Sequence, residues 1–306
     1  MTFKEFQNEI TSSIKQYLPT SFSDAEISIN TVIKQNGVEL SGLTIRKPGQ
    51  TVTANIYLNS LYEDFVNGRD LDEIKQYISQ IRQHHDGDIG LDVSAITDFD
   101  TIKSAIQIKL ISREKNQEYL QQGNKPHIDV ATDLTEVFYI DLGEDTQNGF
   151  MSTVITEHLM HHYGINDVNV LHDIAVKNMT PRARLSSMFQ VLSEIMPQNM
   201  SDAELCMEDN QMFVLTNDKK HCGSAMLLCP EVMDHVAEQI GTKSYYILPS
   251  SVEECLIVPE KAGMDVEELA AMVKDINSSD VIDQEIFLSN HVFQYDYDTH
   301  QIVTAA

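Results

Sequence analysis

The stretch ISINTVIKQNGVELSGL, residues 27–43, decides the fold class, because it predicts a β-hairpin from local chemistry alone. Apolar residues recur on both sides of the central pair Asn36-Gly37. Asparagine and glycine adopt the positive φ angles that a two-residue type I′ turn requires. The pattern therefore predicts two antiparallel strands joined at this turn.

Helices and further hairpins are predicted on both sides of this stretch. Apolar residues recur every three or four positions at residues 2–18 and 71–81, which is typical of amphipathic helices. Further helices are predicted at residues 156–163, 167–178, 184–195, 230–240 and 265–277. Further strands are predicted at residues 51–58, 106–111, 134–142, 150–155, 212–216, 223–228, 244–248 and 254–258, with a last hairpin at 291–304. Hairpins that alternate with single helices favour the α+β class, with antiparallel sheets and helices packed on one side.

The chain is long enough for about two domains, and its sequence suggests where they divide. The polar break Gly123-Asn124-Lys125-Pro126 contains two turn formers and predicts a boundary. We therefore expect an N-terminal α+β module at residues 1–122 and a C-terminal α+β region at residues 127–306. Within the second region, the polar and acidic stretch near residues 197–210 is predicted to be a linker.

The charge balance is strongly acidic and excludes several classes of protein. Aspartate and glutamate number 47 against 21 lysines and arginines, for a net charge of -26. Phosphate backbones and anionic lipids repel such a chain, so direct nucleic-acid binding and membrane-surface binding are not expected. No apolar run approaches the roughly 20 residues that span a bilayer, and the first residues lack a signal-peptide pattern. These features predict a cytoplasmic protein without a membrane partner.

The four cysteines, Cys206, Cys222, Cys229 and Cys255, are expected to be reduced thiols. No pair has C-x-x-C spacing, which disfavours zinc-ribbon and thioredoxin-type sites. His221 directly precedes Cys222 and suggests a base beside a nucleophile. However, neighbouring residues on a strand point to opposite faces, so a strand here predicts that the two side chains do not form a dyad.

A cluster of histidines is the candidate metal site of the sequence. His158, His161 and His162 form H-x-x-H-H within a predicted helix. Spacings of three and four place imidazoles on one helix face, close enough for two of them to share a zinc ion. His172 is a candidate for a further ligand. The alternative is that the imidazoles line the exposed side of a short helix, because the H-E-x-x-H order of metalloproteases is absent.

Six short segments carry a family resemblance that extends over most of the chain. They are VELSGLTIR at residues 38–46, IYLN at 56–59, ITDF at 96–99, YILPSS at 246–251, LIVP at 256–259 and LSNHV at 288–292. They resemble an uncharacterised bacterial family catalogued as domain of unknown function 5688, which is common in anaerobic gut bacteria and their mobile elements. The resemblance implies a cytoplasmic bacterial or phage-borne protein, and it implies no activity, cofactor or catalytic residue.

The expected function follows mainly from motifs that the sequence lacks. The patterns G-x-x-x-x-G-K-[ST], G-x-G-x-x-G and G-x-S-x-G do not occur. We therefore expect a non-enzymatic protein-binding or regulatory protein that uses no cofactor. It is expected to bind a protein partner or to self-associate, and to be linked to a mobile element or phage. The alternative is a metal-dependent enzyme that holds a divalent ion such as zinc on His158, His161 and His162. A third hypothesis is an acidic mimic of nucleic acid.

Overall fold

The computed structural model describes residues 1–50, 53, 55–84, 96–145, 149–195, 212–249, 251–278 and 284–306. The chain divides into two compact units, Met1–Ala95 and Ile96–Ala306. Both units combine helices with antiparallel sheets, so the predicted α+β class is confirmed. The predicted linker at residues 197–210 lies outside the described residues.

The first unit contains the predicted hairpin, which is confirmed. Strand β1 (Glu26–Ile33) pairs antiparallel with β2 (Glu39–Arg46), in a register that places Ile33 opposite Glu39. Between them, φ is 58° at Asn36 and 73° at Gly37. Both central residues of the turn thus have the positive φ angles of a type I′ turn. A short third strand, β3 (Asn55–Tyr57), pairs with β2.

The described helices that pack around this sheet are α1 (Phe3–Ser13), α2 (Leu58–Val66) and α3 (Leu71–His84). Helix α1 begins with a capping box, in which the Thr2 hydroxyl accepts from the Glu5 amide and the Glu5 carboxylate accepts from the Thr2 amide. On the apolar face of α1, Phe6 and Ile10 are fully buried and Phe3 is partly buried. The sequence predicted α1 and α3, but it gave no prediction of α2.

The described residues of the second unit form two sheets. The strands of its first sheet are β4 (Ile106–Ser112), β5 (His127–Val130), β6 (Leu134–Asp145) and β7 (Gly149–Val154). The long strand β6 pairs with the other three. The break at Gly123–Pro126, where the sequence predicts a domain boundary, lies inside this unit because strands on both sides of it pair with each other. The nearby helices are α4 (Phe99–Ile102), α5 (Gln117–Gln121), α6 (Glu157–His162) and α7 (Val168–Met179).

The other sheet of this unit runs in the order β13-β12-β10-β11-β9-β8. Its strands are β8 (Ala183–Ser187), β9 (Phe213–Asn217), β10 (Ser244–Leu248), β11 (Cys255–Pro259), β12 (Phe293–Asp296) and β13 (Gln301–Thr304). Its helices are α8 (Met188–Ile195), α9 (Pro230–Ile240) and α10 (Val266–Ser278).

Helices α9 and α10 pack against alternate residues of β10. Buried residues of α9 share a core with Tyr245 and Ile247, whereas those of α10 share a core with Leu248. Because successive strand residues point to opposite faces, the two helices cover opposite faces of the sheet. In the ranges that the structure describes, no helix combines the length and the apolar character needed to cross a lipid bilayer.

Two predicted elements differ from the structure. The helix predicted at residues 184–195 is a strand, β8, followed by the helix α8, because residues 183–187 pair with β9. The strand predicted at residues 223–228 is a 3-10 helix, Gly223–Leu228. This second difference decides where His221 and Cys222 lie.

Candidate functional site

His221, Cys222 and Glu253 converge at one place in the second unit. A nitrogen, a sulfur and a carboxylate oxygen from these residues all lie within 4.8 Å of one another. Across the described ranges, this is the only group of three or more histidine, cysteine or acidic side chains with that geometry. It is therefore the candidate functional site.

The loop after β9 positions His221 and Cys222. The Asn217 side chain donates to the His221 carbonyl at 2.7 Å and accepts from the His221 amide at 3.3 Å. Cys222 has a φ of 53° and a ψ of 30°, and the 3-10 helix begins at the next residue. A non-glycine residue in this left-handed region costs about 1 kcal/mol. This reversal of the backbone brings the side chains of two adjacent residues to the same place.

Glu253 reaches the same place from the segment between β10 and β11. Its carbonyl accepts hydrogen bonds from the Thr216 hydroxyl at 2.8 Å and from the Gly223 amide at 3.0 Å. A Cβ atom on Gly223 would lie 2.2 Å from the Thr216 Oγ1 atom, far inside van der Waals contact. Only glycine allows the two backbones to approach this closely.

Hydrogen bonds within the group shift its pKa values. The Cys222 amide donates to Glu253 Oε2 at 2.5 Å, and His221 Nδ1 lies 3.4 Å from the same oxygen. Hydrogen bonds with Cys222 and with Glu253 raise the pKa of His221 to about 10. Burial would raise the pKa of Glu253, but the hydrogen bonds from His221 and from the Cys222 amide lower it below its usual value.

The site lies at the edge of a small polar pocket. Cys222 is only 2% exposed, whereas the side chains of His221 and Glu253 are each 29% exposed. Burial raises the pKa of Tyr139, and the nearby Cys222 raises it further. Tyr139 and His221 line a pocket with room for about one water molecule. The other residues of this pocket are Gln107, Asp141, Met151, Ser152, Arg182, Asn217 and Lys219.

These three donors match the coordination chemistry of zinc. Zinc binds cysteine sulfur, histidine nitrogen and carboxylate oxygen, and catalytic zinc sites keep three protein ligands and one open position. A thiol that is 2% exposed is too buried to attack a large substrate, whereas a metal ion is small, and the side chains of His221 and Glu253 are partly exposed.

The histidine cluster predicted from the sequence lies elsewhere. His158, His161 and His162 are exposed on α6, whose buried residue is Met160. In the described part of the chain, they do not belong to any group of three ligand atoms that lie within 4.8 Å of one another. Metal binding at this cluster stays a prediction.

His172, the proposed additional ligand, has a different partner. Its Nδ1 atom lies 3.0 Å from both carboxylate oxygens of Glu136, which is completely buried on β6. The hydrogen bond with Glu136 raises the pKa of His172, although burial opposes the shift.

The expectation that a strand would keep the side chains of His221 and Cys222 apart is wrong, because neither residue lies in a strand and their ligand atoms lie within 4.8 Å of each other. The polar run Asn-Asp-Lys-Lys at residues 217–220, followed by Gly223, was the signal that indicates a loop. Glu253 carried no comparable signal, since its contact with Cys222 spans 31 residues.

Comparisons with known proteins identify the family of this chain but no function. No curated protein and no solved structure matches the chain significantly. One family model, described as "Family of unknown function (DUF5688)", matches residues 3–297. This match spans both units and includes His221, Cys222 and Glu253. The chain therefore belongs to the family of unknown function DUF5688.

Proposed function

We propose that this protein is a metal-dependent enzyme whose metal ligands are His221, Cys222 and Glu253. The observation that carries the proposal is the convergence of one sulfur, one nitrogen and one oxygen donor within 4.8 Å. With three protein ligands, a zinc ion would keep a fourth position for water and lower the pKa of that water to about 7. The expected reaction class is hydrolysis of a polar substrate.

The surrounding residues support a metal site through their effect on the ligands. Asn217 holds the backbone of His221 on both sides of the residue. Thr216 and Gly223 hold the backbone of Glu253. Such supporting contacts orient metal ligands and increase metal affinity.

The same contacts disfavour the alternative of a cysteine nucleophile. Acyl transfer needs backbone amides that are available to stabilise an oxyanion. Here the amide of Cys222 donates to Glu253 Oε2, the amide of Gly223 to the Glu253 carbonyl and the amide of Ser224 to the Val252 carbonyl. These amides already donate hydrogen bonds within the fold and are not available to an oxyanion. The thiol beside them is also buried.

Native mass spectrometry of the full chain, purified from zinc-supplemented cells, tests the proposal. We expect one zinc ion per chain in the wild type and its loss in Cys222→Ser and in Glu253→Gln. Cys229→Ser is the matched control, because Cys229 is an equally buried thiol outside the group. A wild-type chain without metal, or full metal retention in Cys222→Ser, would overturn the proposal.

The same measurement tests the histidine cluster on α6. Replacement of His158, His161 and His162 together by alanine should leave the zinc content unchanged if the ligands are those proposed here. Loss of zinc in this triple variant, with retention in Cys222→Ser, would instead support the site predicted from the sequence.

Self-association is a second candidate, favoured by the edge strand β13. Among the described strands, β13 pairs with β12 alone, and Val303 is 48% exposed. An exposed edge strand can pair antiparallel with the same strand of a second copy. Native mass spectrometry should then show a dimer that Val303→Lys dissociates, and a wild-type monomer would contradict it. The regulatory, mobile-element and nucleic-acid-mimic roles stay predictions from the sequence.

A further inference from the structure

Asp133, Asn277 and His291 leave polar atoms without hydrogen-bond partners in a second polar cluster of the same unit. Asp133 lies between β5 and β6, Asn277 near the end of α10, and His291 just before β12. Asp133 is 7% exposed and Asn277 is 9% exposed. The unpartnered atoms are Asp133 Oδ1, Asn277 Oδ1 and His291 Nδ1. Buried polar atoms without partners are rare in folded proteins, and a bound water or ion is a common reason for them.

One residue, Ser289, connects the three side chains. Its hydroxyl donates to Asp133 Oδ2 at 2.8 Å and accepts from the His291 amide at 2.9 Å. Its carbonyl accepts from Asn277 Nδ2 at 2.9 Å. The unpartnered atoms therefore belong to residues of one hydrogen-bonded network.

These hydrogen bonds also determine which atoms remain to bind a ligand. Asn277 Nδ2 donates to the Ser289 carbonyl and to Asn290 Oδ1, so the amide cannot flip and its Oδ1 atom is an acceptor. The Ser289 hydroxyl occupies one oxygen of Asp133 and leaves Oδ1. The ring nitrogen His291 Nδ1 lies 3.1 Å from Asp133 Oδ2, without the alignment of a hydrogen bond.

The charge of Asp133 favours a cation over a neutral ligand. A buried carboxylate costs several kcal/mol when no positive charge compensates it. Within the described residues, no lysine or arginine lies at ion-pair distance from Asp133, and the only basic side chain at that distance is the imidazole of His291. A carboxylate oxygen, an amide oxygen and an imidazole nitrogen are together typical ligands of divalent ions.

We infer that Asp133, Asn277 and His291 form a second cation site, which takes a divalent ion of the manganese and magnesium class. The oxygen donors favour this class, because zinc prefers the thiolate-containing group at Cys222. The side chain of His291 is 39% exposed and gives the ion a route from solvent. The inference uses none of the residues of the proposed zinc site.

Manganese binding to the full chain tests the inference. The protein is treated with chelator and titrated with Mn²⁺ without added Zn²⁺, and free Mn²⁺ is followed by electron paramagnetic resonance. We expect one Mn²⁺ per wild-type chain and at least tenfold weaker binding in Asp133→Asn. Mg²⁺ should compete for the site.

Two further variants separate this site from the zinc site and from a fold defect. Cys222→Ser should bind Mn²⁺ as tightly as the wild type, whether or not the zinc proposal holds. His291→Gln should weaken Mn²⁺ binding while its melting temperature without metal remains close to that of the wild type.

Three outcomes would overturn the inference. They are equal Mn²⁺ binding by wild type and Asp133→Asn, loss of Mn²⁺ in Cys222→Ser but not in Asp133→Asn, and no binding at millimolar Mn²⁺. The last outcome would mean that a buried water alone satisfies the unpartnered atoms.

Discussion

The backbone amide of Cys222 donates a hydrogen bond to the carboxylate of Glu253, at 2.5 Å and across 31 residues of sequence. This bond fixes the loop after β9 to the segment between β10 and β11. Because His221 is the neighbour of Cys222, the same bond brings an imidazole to the carboxylate. The arrangement of the candidate site is therefore set mainly by hydrogen bonds that main-chain groups make with side chains and with each other.

Gly223→Ala should disrupt this arrangement. The new Cβ atom would lie 2.2 Å from Thr216 Oγ1 and 2.5 Å from the Glu253 carbonyl oxygen, so the two segments must separate. We expect the free energy of unfolding to fall by roughly 3 kcal/mol, at the upper end of overpacking costs. Urea unfolding measures the change. Gly42→Ala is the control, because its Cβ would come no closer than 3.3 Å to any residue beyond its chain neighbours, at Asn55 Cβ and Cγ. Equal stability of the two variants would contradict the prediction.

Asn217→Ala should weaken metal binding without removing a ligand. Its side chain makes hydrogen bonds with both the amide and the carbonyl of His221. Loss of such supporting contacts costs about 10–100-fold in metal affinity. Competition with a zinc chelator measures the affinity, with the exposed Asn169→Ala as control. If both variants bind zinc like the wild type, Asn217 has no positioning role.

The pair of His172 and Glu136 should make stability depend on pH. Because the pKa of His172 is raised in the folded state, its contribution is fully present below about pH 6.5, the value of an unperturbed histidine. The contribution is lost as the pH rises through the folded pKa. The stability advantage of the wild type over His172→Gln should therefore shrink as the pH rises above about 6.5. Urea unfolding across this range measures it, and a constant difference would show that protonation of His172 does not contribute.

Arg82→Lys should destabilise the first unit. Arg82 is 1% exposed, and its guanidinium donates to the Ile45 carbonyl and to Gln50, each at 2.7 Å. The guanidinium also lies 4.7 Å from the centre of the Phe22 ring. Lysine cannot reproduce these planar contacts, so we expect a loss of roughly 2 kcal/mol. Thermal unfolding measures it, with the partly exposed Arg69→Lys as the control that should change little. A similar small change in both would contradict the prediction.

Local chemistry explains which elements could be predicted from the sequence. Asn36-Gly37 specified its turn because the required φ angles depend on those two residues alone. The sequence predicts a strand for the run GSAMLL at residues 223–228, but the run is a 3-10 helix. Its helical conformation depends on hydrogen bonds of Gly223 and Ser224 with the distant segment at Val252 and Glu253. The histidine pattern on α6 was visible in the sequence, whereas the group at Cys222 needed a partner from a distant segment. Long-range pairing of this kind leaves no periodic signal.

The strand order of the six-stranded sheet has a consequence for synthesis of the protein on the ribosome. Strand β10 pairs with β11 on one side and with β12 on the other, but β12 follows about 45 residues later in the chain. While the nascent chain emerges, one edge of β10 therefore remains unpaired until residues 293–296 leave the exit tunnel. An unpaired apolar edge is a site of aggregation. Chains that stop before β12 should depend on chaperones far more than complete ones.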